Sequence, residues 1–236
     1  MNWKQEFEKR FNSLCYEQQP WRVFSDSVAM MACAISNAVD TKHKGRADKL
    51  YETSLKTFKG DVKGPSDLFG ITTMALEDNP EQDFLGEMYM ALGLGDSKKG
   101  QFFTPYHVSG MTSECTEYPM NHWFSVIDPA CGAGAMLIGA ANSIRKRGIN
   151  YQLRTIFVGQ DIDHMSALMC YTQLSLLGCP GYVAIGDSLS NPVEGNILNP
   201  IEAENQELWF TPMFFDAIWS VRRWEEYGRL KKPAGA

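Results

Sequence analysis

Three acids each stand at the end of a short apolar run: Asp128 after Phe124-Ser125-Val126-Ile127, Asp161 after Ile156-Phe157-Val158-Gly159-Gln160, and Asp187 after Val183-Ala184-Ile185-Gly186. Carboxylates gathered along one sheet edge repel each other unless donors of a ligand satisfy them. An ammonium group, a pair of ribose hydroxyls and an exocyclic amine are donors of that kind. Directly after Asp128 comes Pro129-Ala130-Cys131-Gly132-Ala133-Gly134, a turn rich in small residues that opens a helix. Gly132 and Gly134 carry no Cβ to hold a ligand off the backbone, and glycine tolerates positive φ. The first amides of the helix would face that ligand. With Asp128 beside them, a cationic or amino-bearing group is favoured over a phosphate, and the GxxxxGK[ST] pattern of a phosphate loop is absent. A GxG turn alone fits a ligand-free strand-to-helix turn equally well. The acids ending two further strands are what tip the reading, because Rossmann-like folds place a ribose-binding acid after the second strand.

These residues need a scaffold, and the rhythm of the chain supplies one. FSVIDPA, a helix over Ala133–Arg147, TIFVGQDID, a helix over Met165–Leu177, YVAIGDSL and FFDAIWS alternate strand with helix. Four strands are expected, the last over Phe214–Ile218, in an α/β fold with a parallel sheet covered by helices. Ligands of such sheets lie at the carboxyl ends of the strands. From Asn2 to about Ala91 the pattern is helical instead. Trp3, Phe7, Phe11 and Leu14 form one stripe, Val23 to Val39 is apolar with small residues, and Lys42 to Thr57 keeps Ala47, Leu50, Tyr51 and Leu55 at helical spacing. Gly60, Gly64 and Pro65 then break the chain, with Ser66 or Asp67 placed to cap the next helix. The expected division is a helical domain over 1–97 and a ligand-binding domain over 98–236.

Composition narrows the classes. The chain has 236 residues, 44% hydrophobic and 21% charged, enough for a buried core and too apolar for general disorder. No apolar run approaches the ~20 residues of a bilayer span, and the charged start MNWKQEFEKRFNSL lacks a secretory apolar stretch, so a cytoplasmic protein is expected. Six scattered cysteines and four dispersed histidines show no CxxC or finger-like spacing, which argues against a metal site or a disulfide framework. A net charge of −6 argues against indiscriminate binding to polyphosphate. Arg145, Lys146 and Arg147, and the tail from Arg222 to Lys232, are two local basic clusters. Such short clusters are ordinarily solvated faces.

Gly100 to Glu114 (GQFFTPYHVSGMTSE) followed by Val126 to Ala141 (VIDPACGAGAMLIGAA) resembles the N-6 adenine-specific DNA methyltransferases. The likeness is strongest to the modification subunit of type I restriction-modification systems. It rests on Gln101-Phe102-Phe103-Thr104-Pro105, on the DPACGAG turn, and on the DFLG lead-in at Asp83 to Gly86. It covers about Asp83 to Ser190. The resemblance implies a Rossmann-like S-adenosyl-L-methionine-dependent methyltransferase fold, with that molecule as cofactor and duplex DNA as partner. It further implies that Phe102, Phe103, Thr104 and Pro105 close over the methionine end. Asp128, Pro129, Ala130, Gly132 and Gly134 would hold the amino and carboxyl groups. Asp161 would take the ribose hydroxyls, Ile162 the adenine ring, and Asp187 with Ser188 the adenine amine.

One part of the pattern departs. After the fourth strand the family carries a [DNS]PP[YFW] tetrad, whose polar side chain accepts from the target amine and whose ring stacks on the flipped base. Here Val221, Arg222, Arg223 and Trp224 fall at that place. Only the aromatic survives, and guanidinium groups are donors without acceptors. Three readings follow: an active N6-adenine methylase of divergent type, a catalytically idle cofactor-binding relative with a regulatory or interaction role, or a methylase whose sequence after Ser220 is not that of the family. In an active enzyme the basic tail and Trp224 would lie near the substrate. A fourth strand at the sheet edge would invite cover by a partner subunit or a second copy.

Overall fold

A computed structural model describes residues 1–16, 18–95, 103–119 and 122–230, with 228–230 described by backbone alone. Phe102, Gln101, the 97/98 division and Lys231–Lys232 lie outside the described residues. The chain opens with α1 (Trp3–Leu14), α2 (Pro20–Val39), α3 (Lys44–Leu55), α4 (Lys63–Asp78), α5 (Phe84–Ala91) and α6 (Tyr106–Glu114). Asn2 caps α1 by accepting from the Gln5 N–H, and Phe7 and Phe11 turn its apolar stripe into the core. Proline starts α2, where a missing N–H costs nothing, and Ala32 and Cys33 let it sit fully buried at mid-length. Gly64 and Pro65, read from sequence as a break, fall inside the first turn of α4. That turn has no intrahelical acceptors to lose, so the proline fits. A Cβ on Gly64 would sit 2.5 Å from a Leu14 methyl, which is why α1 and α4 approach so closely there.

The α/β part runs β1 (Phe124–Asp128), α7 (Ala135–Lys146), α8 (Tyr151–Arg154), β2 (Thr155–Asp161), α9 (His164–Leu176), β3 (Gly181–Ile185), β4 (Glu194–Asn196), β5 (Asn199–Ile201), β6 (Glu207–Phe210), a 3₁₀ turn at Pro212–Phe215 and α10 (Ala217–Leu230). The main sheet has the order β1-β2-β3-β6, with β1, β2 and β3 parallel and β6 antiparallel to β3. Asp128 is opposite Gly159, and Asp161 is opposite Ile185, so the acids leave the sheet at its carboxyl edge. This is an α/β fold whose main sheet is mixed, with three parallel strands and one antiparallel edge strand.

The fourth strand is not where the sequence pattern places it. Phe214–Ile218 is a 3₁₀ turn running into α10, and the fourth strand is Glu207–Phe210. Pro212 fixes the backbone after Thr211, and Asp216 accepts from the Ile218 N–H at 3.0 Å, starting a helix where a strand end is expected. The sheet edges are therefore β6 and β1, and β1 leaves Ser125 and Ile127 exposed.

One apolar cluster runs without interruption from Phe7 and Phe24 through Leu85, Leu137 and Leu168 to Phe157 and Val183, so the helical part and one sheet face share a core. The other face packs Val158, Tyr182 and Phe210 against Trp219 of α10. Gly181 starts β3 with φ +155°, and a Cβ there would lie 1.8 Å from the Phe157 carbonyl oxygen. Gly181→Ala should cost about 3 kcal/mol or more through strain and overpacking, read as a lower urea midpoint; an unchanged midpoint would contradict this register between β2 and β3.

Candidate functional site

The glycine turn is held from beneath and beside. Cys131 N–H donates to the Gln160 carbonyl at 3.0 Å, and Gly134 N–H to the Cys131 carbonyl at 2.8 Å. Gly132 N–H donates to Asp161 Oδ2 at 2.8 Å, which fastens the turn after β1 to the end of β2. The other Asp161 oxygen accepts from Asp163 N–H at 2.9 Å. Both glycines have positive φ, +53° at Gly132 and +102° at Gly134. Their reasons differ. A Cβ on Gly132 would meet the Phe103 ring at 3.0 Å, on the open side of the turn. On Gly134 it would meet Cys170 Sγ at 3.0 Å, so this glycine allows α7 to pack on α9.

Two of the three acids come together. Asp128 is half-buried, and burial followed by the charge of Asp161 pushes its carboxyl above the usual range, against the bond it accepts from Ala130 N–H. Gly186 N–H donates to the Asp161 carbonyl at 2.9 Å, which brings the start of the Asp187 loop to the same edge. Asp187 itself is engaged locally. Its oxygens accept from Leu189 N–H at 2.9 Å and Ser190 Oγ at 2.7 Å, and the Ser190 hydroxyl foremost holds its carboxyl below the usual value. Asp163, the second acid of the QDID run, caps α9 by accepting from Ser166 N–H at 2.8 Å.

Around these acids, Ile162 is 72% exposed and Leu189 is 93% exposed, two apolar side chains in the loops at the carboxyl edge. Pro129 and Ala130 are exposed in the turn, and Ser188 is half-buried beside Asp187. Phe103 leans on Tyr89 of α5 with ring centroids 5.4 Å apart, so the FFTP segment reaches the glycine turn. Thr104 and Pro105 are exposed and lead directly into α6. A groove of about 440 Å³ opens beside β1, lined by Phe124, Val126, Ile127 and Met136, with Asp128 at its end. A cavity of about 550 Å³ between α1 and α4, lined by Trp3, Arg10, Asp67 and Met74, shares none of the acids.

Val221, Arg222, Arg223 and Trp224 lie elsewhere. Arg222 stacks over Trp219 at 4.4 Å and donates to the Leu153 carbonyl at 2.6 Å. Arg223 stacks over Phe214 at 4.3 Å and donates to the Phe214 carbonyl. Leu153 precedes β2, whereas Asp161 ends it. Seven strand residues rising ~3.3 Å each put roughly 20 Å between these two places. Arg222 and Arg223 thus lie toward the amino edge of the sheet, apart from Asp161, and Trp224 is 84% exposed. The other basic cluster is tied down, since Lys146 pairs with Glu81 at 2.9 Å and Arg147 donates to the Glu114 carbonyl at 2.6 Å.

Two polar residues at the carboxyl edge, Gln160 and Gln173, carried no sequence signal that separated them from the core, and Asp83 was marked only as the start of the DFLG lead-in. Gln160 is buried on β2 and donates to the Asn191 carbonyl at 2.8 Å, holding the loop after β3. Asp83 and Gln173 meet beneath the glycine turn, where Gln173 Nε2 donates to Asp83 Oδ1 at 2.7 Å. A lone amide in the apolar run of α9 was the available hint.

The family model for N-6 DNA methylase matches residues 81–230, more than half of the chain. The chain belongs to the N-6 DNA methylase family. The type I restriction enzyme MjaIX methylase subunit of Methanocaldococcus jannaschii is 29% identical over 124 residues, covering 52% of this chain and 20% of that protein. The MjaVIII methylase subunit of the same organism is 33% identical over 99 residues, covering 41% of this chain and 16% of its own length. The chain thus spans about a fifth of the length of these relatives. A solved type I restriction-modification methyltransferase subunit from Streptococcus thermophilus aligns over 82% of this chain and 60% of its own, at 12% identity and TM-score 0.45, a likeness too loose to carry an argument. S-adenosylmethionine is the methyl donor that the family implies. Among the described residues no helix is long and apolar enough to cross a membrane.

The raised Asp128 carboxyl has a stability consequence. Its folded value lies above the unfolded one, so the native state binds the proton more readily, and stability falls as pH rises through that window. Asp128→Asn keeps an acceptor for Ala130 N–H and removes the charge. It should raise the melting temperature at pH 7.5, with the gain shrinking as pH falls below the unfolded value of 3.8, where the carboxyl becomes protonated in both states. A loss of stability at pH 7.5 would contradict the pairing with Asp161.

Proposed function

We propose that this chain binds S-adenosylmethionine at the carboxyl edge of β1, β2 and β3, as part of an N6-adenine DNA methylation system of the restriction-modification kind. The observation that carries the reading is the meeting of Asp128 and Asp161 around the Gly132 amide. Two carboxylates brought to mutual repulsion are a site for a ligand with several donors, and Gly132 keeps the backbone accessible there. The donor set suits an ammonium and hydroxyls and is ill-suited to a phosphate. When bound, S-adenosylmethionine supplies a sulfonium-borne methyl group to a nucleophilic nitrogen.

Within this reading Asp128, with Pro129 and Ala130 in the turn, accepts from the amino group, and Gly132 and Gly134 shape the turn that takes the carboxylate end. Asp161 accepts from a ribose hydroxyl while keeping the turn in place. Ile162 offers an apolar platform for adenine, with Asp187 and Ser188 beside the adenine amine. Phe103, Thr104 and Pro105 flank the methionine end. The helical part over 1–97 and the cofactor-binding part over 98–236 are the two functional divisions we assign. Duplex DNA and a partner subunit or second copy are the macromolecular partners this reading implies, in the cytoplasm.

A second reading has its own support. Arg222 and Arg223 are engaged with the Leu153 and Phe214 carbonyls, toward the sheet edge away from the acids. Val221 offers no side-chain acceptor, so nothing at positions 221–224 frees the lone pair of a target amine. The geometry therefore favours a chain that holds cofactor but needs a partner to supply the acceptor, and by itself is catalytically idle.

Calorimetric titration with S-adenosylhomocysteine tests the binding. Asp128→Ala and Asp161→Ala should each weaken affinity about 10-fold or more, as expected for lost hydrogen bonds to a charged acceptor; affinities equal to wild type would remove the assigned pocket. Incubation of the chain with tritiated S-adenosylmethionine and unmethylated duplex DNA should transfer no label. Transfer would establish the active reading and overturn the idle one.

A further inference from the structure

Asp83 is 2% exposed, yet it is the N-cap of α5, and among the described residues the groups that act on its charge include no cation. Its surroundings are built for it. Gly86 N–H donates to Oδ1 at 3.0 Å, and Gln173 Nε2 donates to the same oxygen at 2.7 Å. A Cβ on Gly86 would come within 2.2 Å of the other oxygen, so only glycine at the third helical position leaves room for the carboxylate. Gln173 is itself fully buried, and both hydrogens of its amide are used. Its second Nε2 hydrogen goes to the Ala133 carbonyl at 2.9 Å, and its Oε1 accepts from Leu85 N–H at 3.0 Å.

The orientation of that amide is the point. Ala133 lies between the two glycines of the turn, so its carbonyl fixes the peptide that places Gly134. Gln173 reaches it with an N–H only if its oxygen points toward Leu85. An amide turned the other way would set its oxygen against the Asp83 carboxylate and against the Ala133 carbonyl, both acceptors. The charge on Asp83 therefore reinforces the amide orientation that the Ala133 carbonyl and the Leu85 N–H also favour, and that holds the glycine turn. A neutral acid or amide at position 83 could donate to the turned amide and would weaken that selection.

We propose that Asp83 is a positioning residue for the cofactor turn: acting through Gln173, its carboxylate holds the Ala133 carbonyl and so sets the geometry of the Gly132–Gly134 segment for ligand binding. The proposal rests on the cofactor reading above for its ligand, and on the hydrogen-bond chain alone for its coupling. It explains why a charge is kept in the core at a cost. Burial pushes the Asp83 carboxyl up to about 6, in spite of the Gln173 and Gly86 bonds that oppose the rise. The titratable groups facing it are Glu87 one turn along α5, which pairs with Lys4 of α1, and the Cys170 thiol of α9, which stays neutral because burial and Cys131 push it far up.

Asp83→Asn is the deciding variant, measured with S-adenosylhomocysteine by calorimetry and, without ligand, by hydrogen exchange at residues 131–135. The native carboxyl value of about 6 exceeds the unfolded 3.8, so the buried charge destabilises above that window and the amide removes the cost. The variant should melt higher than wild type at pH 7.5. At the same pH it should bind about fivefold or more weakly and show less exchange protection in the turn. At pH 5, where wild-type Asp83 is neutral, the two proteins should converge in affinity and protection. A purely structural role would not make a more stable protein a weaker binder, nor would it titrate. Equal affinity and equal protection at pH 7.5 would overturn the proposal. If wild type itself takes up no ligand, the cofactor reading falls, and the exchange arm still decides: reduced protection at pH 7.5 that converges at pH 5 supports the coupling, and unchanged protection refutes it.

Discussion

The Gly132 N–H bonded to the Asp161 carboxylate is the constraint on which the rest of the site depends. It closes the turn after β1 against the end of β2, and it fixes a charge that Asp128 then feels. Two backbone N–H donors, from Gly132 and Asp163, give each oxygen of the half-buried Asp161 side chain a hydrogen bond. Packing enforces the same closure from below. Cys131 lies where a Cβ on Gly159 would come 3.0 Å from its sulfur, so β2 must carry glycine opposite Asp128. Cys131 and Cys170 thus serve as small apolar wedges under the turn.

The helical part is more than a lead-in to this arrangement. α2 packs along α9, and the Asp83–Gln173 pair carries hydrogen bonds from the start of α5 to the Ala133 carbonyl. A second tie runs at the far edge, where Arg46 of α3 pairs with Glu202 at 2.6 Å and stacks over Trp209 of β6 at 5.3 Å. His43 stands between Asp40 and Glu202, with Nδ1 2.7 Å from Asp40 and Nε2 3.2 Å from Glu202. Half-buried pairs of this kind add modest stability but much orientation, since each charge is left costly if its partner moves. The two parts therefore behave as one packed unit around a common core.

Separation of the two sheet edges shapes what a member of the N-6 DNA methylase family can do in this form. The acids and the glycine turn collect at the carboxyl edge. The arginines of α10 are used to close the opposite side of the sheet, where Trp219 donates to the Gln152 carbonyl at 2.8 Å. Cation–π stacking of Arg222 and Arg223 on Trp219 and Phe214 gives those side chains a structural occupation.

Much of this was legible in the amino acids alone. Short-range patterns announced α1, α2, α3, α7 and α9, the first three strands with their terminal acids, and the glycine turn, because periodicity and turn chemistry are local properties of consecutive residues. The family likeness rested on the same local motifs. Tertiary structure decided what depends on partners distant in sequence. It made Glu207–Phe210 the fourth strand by offering Tyr182–Ile185 as an antiparallel neighbour, and it turned Asp216 from a strand end into a helix cap. It assigned Gly134 to helix packing and Gly132 to the open face, and it sent Arg222 and Arg223 to the far edge. It also joined Asp83 to Gln173 across ninety positions, a bond that no spacing rule could foresee because its energy comes from shared burial rather than from neighbourhood along the chain.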